Sequence, residues 1–371
     1  LKLPFALPPL NRRTVGYALF MAGLVWFYAR FVVPPMFELI DRGQFLSKFQ
    51  VTPAMSRQVV EALAREMETR YIFAEGGAKA AARIRFDLAT GKYDPIRETR
   101  ALTDTLIEDI RGDNDGDRNL SVVFTVNPIE QPAGGGTLVD PRAPWDAQAE
   151  GTELDTLGRP TRTDGVGMVR TLDGNVGYLQ ILHFNGGADA ARHFAQAMQD
   201  LHGTRELVLD LRDNSGGEVG SAVALASFFF SEARHLASVQ WRRGPGELET
   251  ERLITTPPSG ETAYFKQPVI VLVSRQSVSA AELLAWALQR QGRAKVLGES
   301  TRGASHPAVR VRLSEHFGAT IPVGRVFEPK TGQNWERSGV IPDRYLLAYE
   351  ALEVVKRELK YKGEIGIVNQ P

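Results

Sequence analysis

Residues 269–288 read VIVLVSRQSVSAAELLAWAL, and the change of character midway through this stretch decides the fold. Pro268 to Val273 is a short, wholly apolar run rich in β-branched residues, the composition of a strand covered on both faces. Ser279 to Gln289 then carries the spacing of a helix, so strand passes into helix through a serine-rich corner. At such a corner a side chain stands clear of the sheet. The unpaired N–H groups of the first helical turn face outwards, and the helix dipole favours a developing negative charge. Ser279 is therefore the candidate nucleophile. A purely structural reading accounts for the same residues: Ser279, or Ser277, caps the helix and Glu282 completes a capping box.

Outward from this corner, strands alternate with amphipathic helices from Val176 onward, the pattern of a sheet built with crossover connections. Val176–Leu182 and Glu206–Leu211 read as strands, with a helix over Ala188–Leu201 between them. The second strand ends in Asp213-Asn214-Ser215-Gly216-Gly217, a glycine turn feeding a helix over Ser221–Phe230. Bare backbone at two adjacent glycines brings N–H groups close to the mouth that holds Ser279, although such a turn is also ordinary loop chemistry. Lys295–Leu297, Ala308–Leu313 and Ala319–Val323 are expected to extend the sheet, and a helix over Tyr345–Leu359 follows. The expected fold class is α/β with a mixed sheet.

Upstream the period is helical. Thr52-Pro53 opens a helix running to Tyr71, with Val59, Val60, Leu63 and Met67 on one stripe. Helices over Ala78–Leu88 and Thr99–Ile110, a turn at Asn114-Asp115-Gly116 and a strand over Leu120–Val126 complete a small helical domain, residues 36–126. Pro128–Gly165 is rich in Pro, Gly and Thr and lacks periodicity, so residues 127–166 are expected to connect that domain to the core at 167–371.

Residues 1–35 are expected to hold a membrane anchor. Val15–Val33 (VGYALFMAGLVWFYARFVV) is apolar but for Arg30, long enough as a helix to cross about 30 Å of hydrocarbon. Arg12 and Arg13 precede it, Trp26 and Tyr28 suit an interfacial belt, and Pro34-Pro35 stops the helix. Bulky Trp26-Phe27-Tyr28 leaves no small-x-small cleavage site, so the span is expected to stay in place. It makes membrane lipid a partner. The basic residues bias the N-terminus towards the cytoplasm and the core towards the periplasmic or extracytoplasmic side, weakly, since Arg30, Arg42 and Lys48 offset Lys2, Arg12 and Arg13.

Composition excludes several classes. With 371 residues and 43% hydrophobic content the chain can bury a large core. Lys plus Arg and Asp plus Glu both number 44, so no net field steers it to nucleic acid. Cysteine is absent, which removes disulfides, Cys-ligated metals and a thiol nucleophile. His193, His202, His235 and His316 show no metal-ligand spacing, and no metal or organic cofactor is expected. His183 lies between apolar residues in ILHF and reads as a packed side chain.

Taken in order, GYLQILHF (177–184), LVLDLRDNSGG (207–217), VSRQSVSAAE (273–282), KVLGESTRG (295–303) and SGVIPD (338–343) resemble the tail-specific, or C-terminal processing, serine peptidases. VTPAMSRQVVEALAREMETRYIF (51–73), LDGNVGYL (172–179) and TGQNWERSGVIPD (331–343) are similar to the branch holding the tricorn core and interphotoreceptor retinoid-binding protein. The resemblance implies a ClpP/crotonase-like layout and a polypeptide substrate, and the chain has no room for the PDZ domain common in the tail-specific branch. It puts the nucleophile on Ser279 and the oxyanion-hole N–H groups on Ala280 and on Gly216 or Gly217.

The resemblance breaks at the base. Where the tail-specific branch carries a lysine, LGESTRGASHP has Ala304; where the tricorn-like branch carries a histidine in a D-x-H-L phrase, this chain reads Asp117-Arg118-Asn119-Leu120. An amide accepts no proton at physiological pH, and loss of one triad member leaves only about 10³–10⁴-fold catalysis. His306, oriented by Glu336 or an intervening hydroxyl, is the substitute base that the sequence offers; Glu336 matches the supporting carboxylate of the tricorn-like branch. As bland alternatives, His306 is a loop histidine and Glu336 a salt bridge or cap. Two functions remain open: a membrane-anchored homologue with impaired catalysis, used for binding or scaffolding in a membrane complex, and an active endopeptidase working through Ser279.

Overall fold

The computed structural model describes residues 50–130, 138–139, 165–186, 188–258 and 263–364. Helix α1 (Pro53–Arg70) starts where Thr52 is extended and its hydroxyl accepts the Met55 N–H at 3.2 Å, with proline in the first turn, where a missing N–H costs nothing. Its stripe of Val59, Val60, Leu63 and Met67 faces inwards. Helix α2 (Ala74–Ala89) lies against it, and Gly77 permits the approach, since a methyl there would meet the Met67 carbonyl oxygen at 2.4 Å. Helix α3 (Thr99–Gly112) turns Leu102, Leu106 and Ile110 inwards. Strands β1 (Ser121–Phe124) and β2 (Leu138–Val139) follow.

The remainder runs β3 (Val166–Leu172), β4 (Val176–Ile181), α4 (Ala188–Asp200), β5 (Glu206–Asp210), α5 (Val219–Ser227), β6 (His235–Gly244) and β7 (Glu247–Ile254). Next come β8 (Val269–Val273), α6 (Ala280–Arg290), β9 (Lys295–Gly298), β10 (Ala308–Arg312), β11 (Phe317–Pro322), β12 (Gly324–Phe327), β13 (Arg344–Tyr345) and α7 (Ala348–Glu364). The central sheet has six strands in the order β13-β9-β8-β5-β4-β3. It is mixed: β4, β5, β8, β9 and β13 are parallel and β3 is antiparallel to β4. The period of two sorts its side chains between two cores. Val176, Tyr178, Val208 and Leu272 meet α7 residues Ala351, Val355 and Leu359, while Leu179, Ile181, Leu209, Val271 and Val273 join the larger core. That larger core is continuous from α1, α2 and α3 through α5 and α6.

Two expectations change. Ala308–Leu313 and Ala319–Val323 do not extend the central sheet; as β10 and β11 they form a separate four-stranded sheet, β1-β11-β10-β2. After β9 the chain spends residues 299–307 crossing the mouth of the site without strand structure, so β10 starts away from the β9 edge and pairs with its own hairpin partner. The β6–β7 hairpin with β12 as third strand was not anticipated; β7 is solvent-facing along Glu247, Glu249 and Glu251 and lacks an apolar face to read. The last helix begins at Ala348, because Arg344–Tyr345 pair with β9. Arg242 on β6 closes α1, its guanidinium donating to the carbonyls of Glu68 (2.6 Å), Thr69 (3.1 Å) and Tyr71 (3.1 Å).

The expected anchor, Val15–Val33, and most of the connector lie outside the described residues. Among the described residues no helix is long and apolar enough to cross a membrane.

Candidate functional site

Ser279 stands where β8 ends and α6 begins, half-buried, with φ +52° and ψ −113°. A non-glycine residue in this region carries strain of about 1–3 kcal/mol, which persists only where its surroundings impose it. Ser277 is one of those surroundings. Its hydroxyl donates to the Leu211 carbonyl at 2.7 Å and accepts the Ser274 N–H at 3.0 Å, so it stitches the ends of β5 and β8 together and does not cap α6. The Val278 N–H donates to the Asn214 carbonyl at 3.1 Å, fixing the corner to the glycine turn.

Glu282, fully buried, ties the corner to the crossing segment. One carboxylate oxygen accepts the N–H of Ser279 (2.8 Å) and of Ala304 (2.9 Å); the other accepts the Thr301 hydroxyl (2.6 Å) and the Gly303 N–H (2.6 Å). Burial pushes this carboxyl up, against the pull of those donors. Ala304 thus shares an acceptor atom with Ser279 through its backbone N–H, and carries only a methyl group where the resemblance called for a base.

The glycine turn abuts the serine. Gly216 (φ +98°) and Gly217 (φ +123°) adopt conformations that L side chains rarely take. A methyl on Gly216 would lie 2.9 Å from the Ser279 Cβ, and one on Gly217 2.1 Å from the Phe184 carbonyl oxygen. The two glycines differ in what their N–H groups do. Gly216 donates to the Asn214 side-chain oxygen at 2.8 Å, whereas the N–H groups of Gly217 and Ala280 have no acceptor among the described residues. Of the two glycines the sequence left open, Gly217 has the free donor. His183 also belongs to this mouth: Nδ1 lies 3.2 Å from the Ser215 hydroxyl, and Nε2 would be 3.0 Å from a methyl on Gly217.

Asn119 is held by a loop that Arg111 secures, its guanidinium donating to the carbonyls of Arg118 (3.2 Å) and Leu120 (2.7 Å). The Asn119 amide donates to Glu336 Oε1 at 3.2 Å. Glu336 Oε2 accepts the N–H (2.7 Å) and hydroxyl (3.0 Å) of Ser305. His306 sits behind this pair: Nδ1 is 3.3 Å from Asp117 Oδ2 and 3.7 Å from Glu336 Oε2, and Phe73 packs edge-on against the ring. No hydrogen bond joins His306 to Ser279 among the described residues.

Asp117 is the member that sequence reasoning missed. It is 4% exposed and accepts from the Tyr71 hydroxyl (3.0 Å) and the Asn119 N–H (2.9 Å) as well as facing His306. Burial pushes its carboxyl up, and the His306 ring with the Asn119 and Tyr71 donors outweighs that, leaving it below its usual range. Burial, with Asp117 alongside, pushes the Tyr71 hydroxyl far above its ordinary value, so it remains a donor. Only the D-x-N-L phrase marked Asp117, and the residues it meets lie 46 and 189 positions away.

Residues 175–346 match the family model described as peptidase family S41. The carboxyl-terminal-processing protease of Synechocystis is 31% identical over 171 residues, covering 46% of this chain and 37% of that protein. The chloroplastic carboxyl-terminal-processing peptidase 2 of Arabidopsis thaliana is 30% identical over 175 residues, covering 46% and 32%. The matched stretch thus spans about a third of these relatives' length. Among solved structures, a candidate peptidase from Parabacteroides merdae superposes with a TM-score of 0.55 at 18% identity, over 85% of this chain and 99% of that one, which establishes a shared fold.

Proposed function

We propose, from the premise that residues 175–346 belong to peptidase family S41, that this chain uses a peptidase fold with impaired catalysis to hold polypeptide segments or partner subunits in a membrane complex. The observation that carries this reading is the Asn119 amide donating to Glu336 at 3.2 Å. A group that cannot take a proton occupies the place where the tricorn-like resemblance puts the base, and it uses the carboxylate that would have oriented that base. Ala304 empties the other base position. The free N–H groups of Gly217 and Ala280 still offer two donors to a peptide carbonyl. Val15–Val33 anchors the chain in this reading, with the N-terminus cytoplasmic and the core outside.

A fluorophosphonate probe tests the reading directly. Wild type and Ser279→Ala are expected to label equally and to leave casein uncut, while an extended peptide binds both. Rapid labelling of wild type that vanishes in Ser279→Ala overturns it.

One observation favours the second reading, an active endopeptidase. Nδ1 of His306 faces two carboxylates, which leaves Nε2 as the free basic nitrogen of an oriented imidazole. On that reading labelling occurs, and His306→Ala abolishes it in a chain that still folds.

A further inference from the structure

Asp117, His306 and Glu336 converge from three separate parts of the chain, and their facing atoms lie within 4.8 Å of one another. Both carboxylates address the same ring atom: Asp117 Oδ2 at 3.3 Å and Glu336 Oε2 at 3.7 Å from His306 Nδ1. One ring nitrogen carries at most one hydrogen, so it satisfies one carboxylate and leaves the other facing its lone pair or a hydrogen already given away. Neither carboxylate has a Lys or Arg within ion-pairing distance among the described residues; the Arg111 guanidinium is near enough for its charge to act on Asp117, but its hydrogens go to the carbonyls of Arg118 and Leu120. The side chains are 4%, 8% and 13% exposed for Asp117, His306 and Glu336, so water screens the two anions poorly.

We infer that these three residues form a binding site for a first-row divalent cation such as zinc, seated between His306 Nδ1, Asp117 Oδ2 and Glu336 Oε2. Three ligands placed about 2.0–2.2 Å from a tetrahedral zinc lie roughly 3.3–3.6 Å apart, and the observed separations from Nδ1 are 3.3 and 3.7 Å. Asn119 orients the remaining oxygens, its backbone N–H on Asp117 Oδ1 and its side-chain amide on Glu336 Oε1. The ligating oxygens themselves accept from the Tyr71 hydroxyl (Asp117 Oδ2) and from the N–H and hydroxyl of Ser305 (Glu336 Oε2), so a bound cation requires the rotatable Ser305 hydroxyl to turn away and free a lone pair. A dication supplies the charge that one imidazole cannot, and it joins the loop after α3 to the segment crossing the site. Sequence spacing gave no hint, because the ligands sit at positions 117, 306 and 336. The inference goes beyond the proposed function and holds whether or not Ser279 reacts.

The test uses untagged chain, stripped with a chelator and titrated with zinc chloride by calorimetry. One equivalent is expected to bind, with a rise in melting temperature, and X-ray absorption of the loaded wild type should show one imidazole and otherwise oxygen ligands. Asp117→Asn, His306→Ala and Glu336→Gln should each weaken binding at least tenfold, the lower end of the roughly 10–100-fold that even outer-shell changes produce. Ser279→Ala should bind as wild type does, which separates this outcome from the fate of the functional reading. Absence of binding overturns the site. So does stoichiometric binding that persists in His306→Ala, or an absorption spectrum with several imidazoles, since both place the zinc on other histidines. The wild-type spectrum decides even if a variant fails to fold.

Discussion

Asn119 and Glu336 stand 217 positions apart in the chain and meet side chain to side chain, amide nitrogen to carboxylate oxygen at 3.2 Å. The contact reaches Ser279 through hydrogen bonds and one peptide link: Glu336 holds Ser305, the neighbouring Ala304 donates to Glu282, and Glu282 accepts the Ser279 N–H. On the proposed reading, this is the apparatus that would orient a base, and the residue it orients is an amide. Restoring the base should restore reactivity. With Asn119→His, an imidazole positioned by Glu336 should raise fluorophosphonate labelling by about 10²-fold or more, since general-base assistance contributes typically 10²–10⁴-fold. Labelling that stays at the wild-type level would mean that position 119 does not address Ser279.

Strain at Ser279 makes a prediction about stability that is independent of chemistry. At φ +52° glycine is unstrained, while alanine bears the same penalty as serine. Ser279→Gly should be more stable than Ser279→Ala by about 1 kcal/mol, read from urea midpoints. Alanine as stable as glycine would contradict the strain, since even at an unstrained N-cap glycine is the better of the two.

The parts of this site that were legible in the sequence are the ones encoded by local phrases. The strand-to-helix corner at Ser279, the glycine turn and the two positions where the resemblance puts a base, Asn119 and Ala304, each lie within a few residues of the motif that identifies them. What was not legible depends on long-range pairing. Nothing near Asp117 announces His306, and nothing in Ala308–Arg312 states that its neighbour is Phe317–Pro322 and not the β9 edge. The β6–β7 hairpin escaped for a different reason: Glu247, Glu249 and Glu251 point to solvent, so the strand carries charge on the face where an apolar alternation is sought. Choosing Gly217 over Gly216 needed the side chain of Asn214, which spends the first glycine's N–H.

Glu282 should reveal itself through pH. In Glu282→Gln, one of the two oxygens becomes an NH₂ facing donors, which should cost about 1–3 kcal/mol for a buried group left without its partner. The sign with pH follows from burial. The unfolded carboxyl titrates near 4.5 and the folded one above it, so the folded state holds more protons in that interval and stability falls as pH rises through it. This contribution is full below the unfolded value and gone above the folded one. The stability gap between wild type and Glu282→Gln should therefore be widest near about pH 4 and narrow towards neutrality. Urea midpoints at several pH values measure it, and a gap that is constant or widens with pH contradicts the upward shift.

Arg242 should not tolerate lysine. Its fork donates to three carbonyls at the end of α1, from Glu68, Thr69 and Tyr71, and so docks the β6–β7 hairpin on the helical region. An ammonium reaches one of these oxygens well and cannot span all three, because its donors radiate from a single point. Arg242→Lys should lose about 1–2 kcal/mol and Arg242→Met about 2–3 kcal/mol, the scale of charged hydrogen bonds removed from partly buried acceptors. Hydrogen exchange locates the effect: amides in the last turn of α1 should lose protection in both variants, while those of β5 and β8, buried in the central sheet, should follow only the global change. Equal stability of Arg242→Lys and wild type would show that the charge alone holds the hairpin in place.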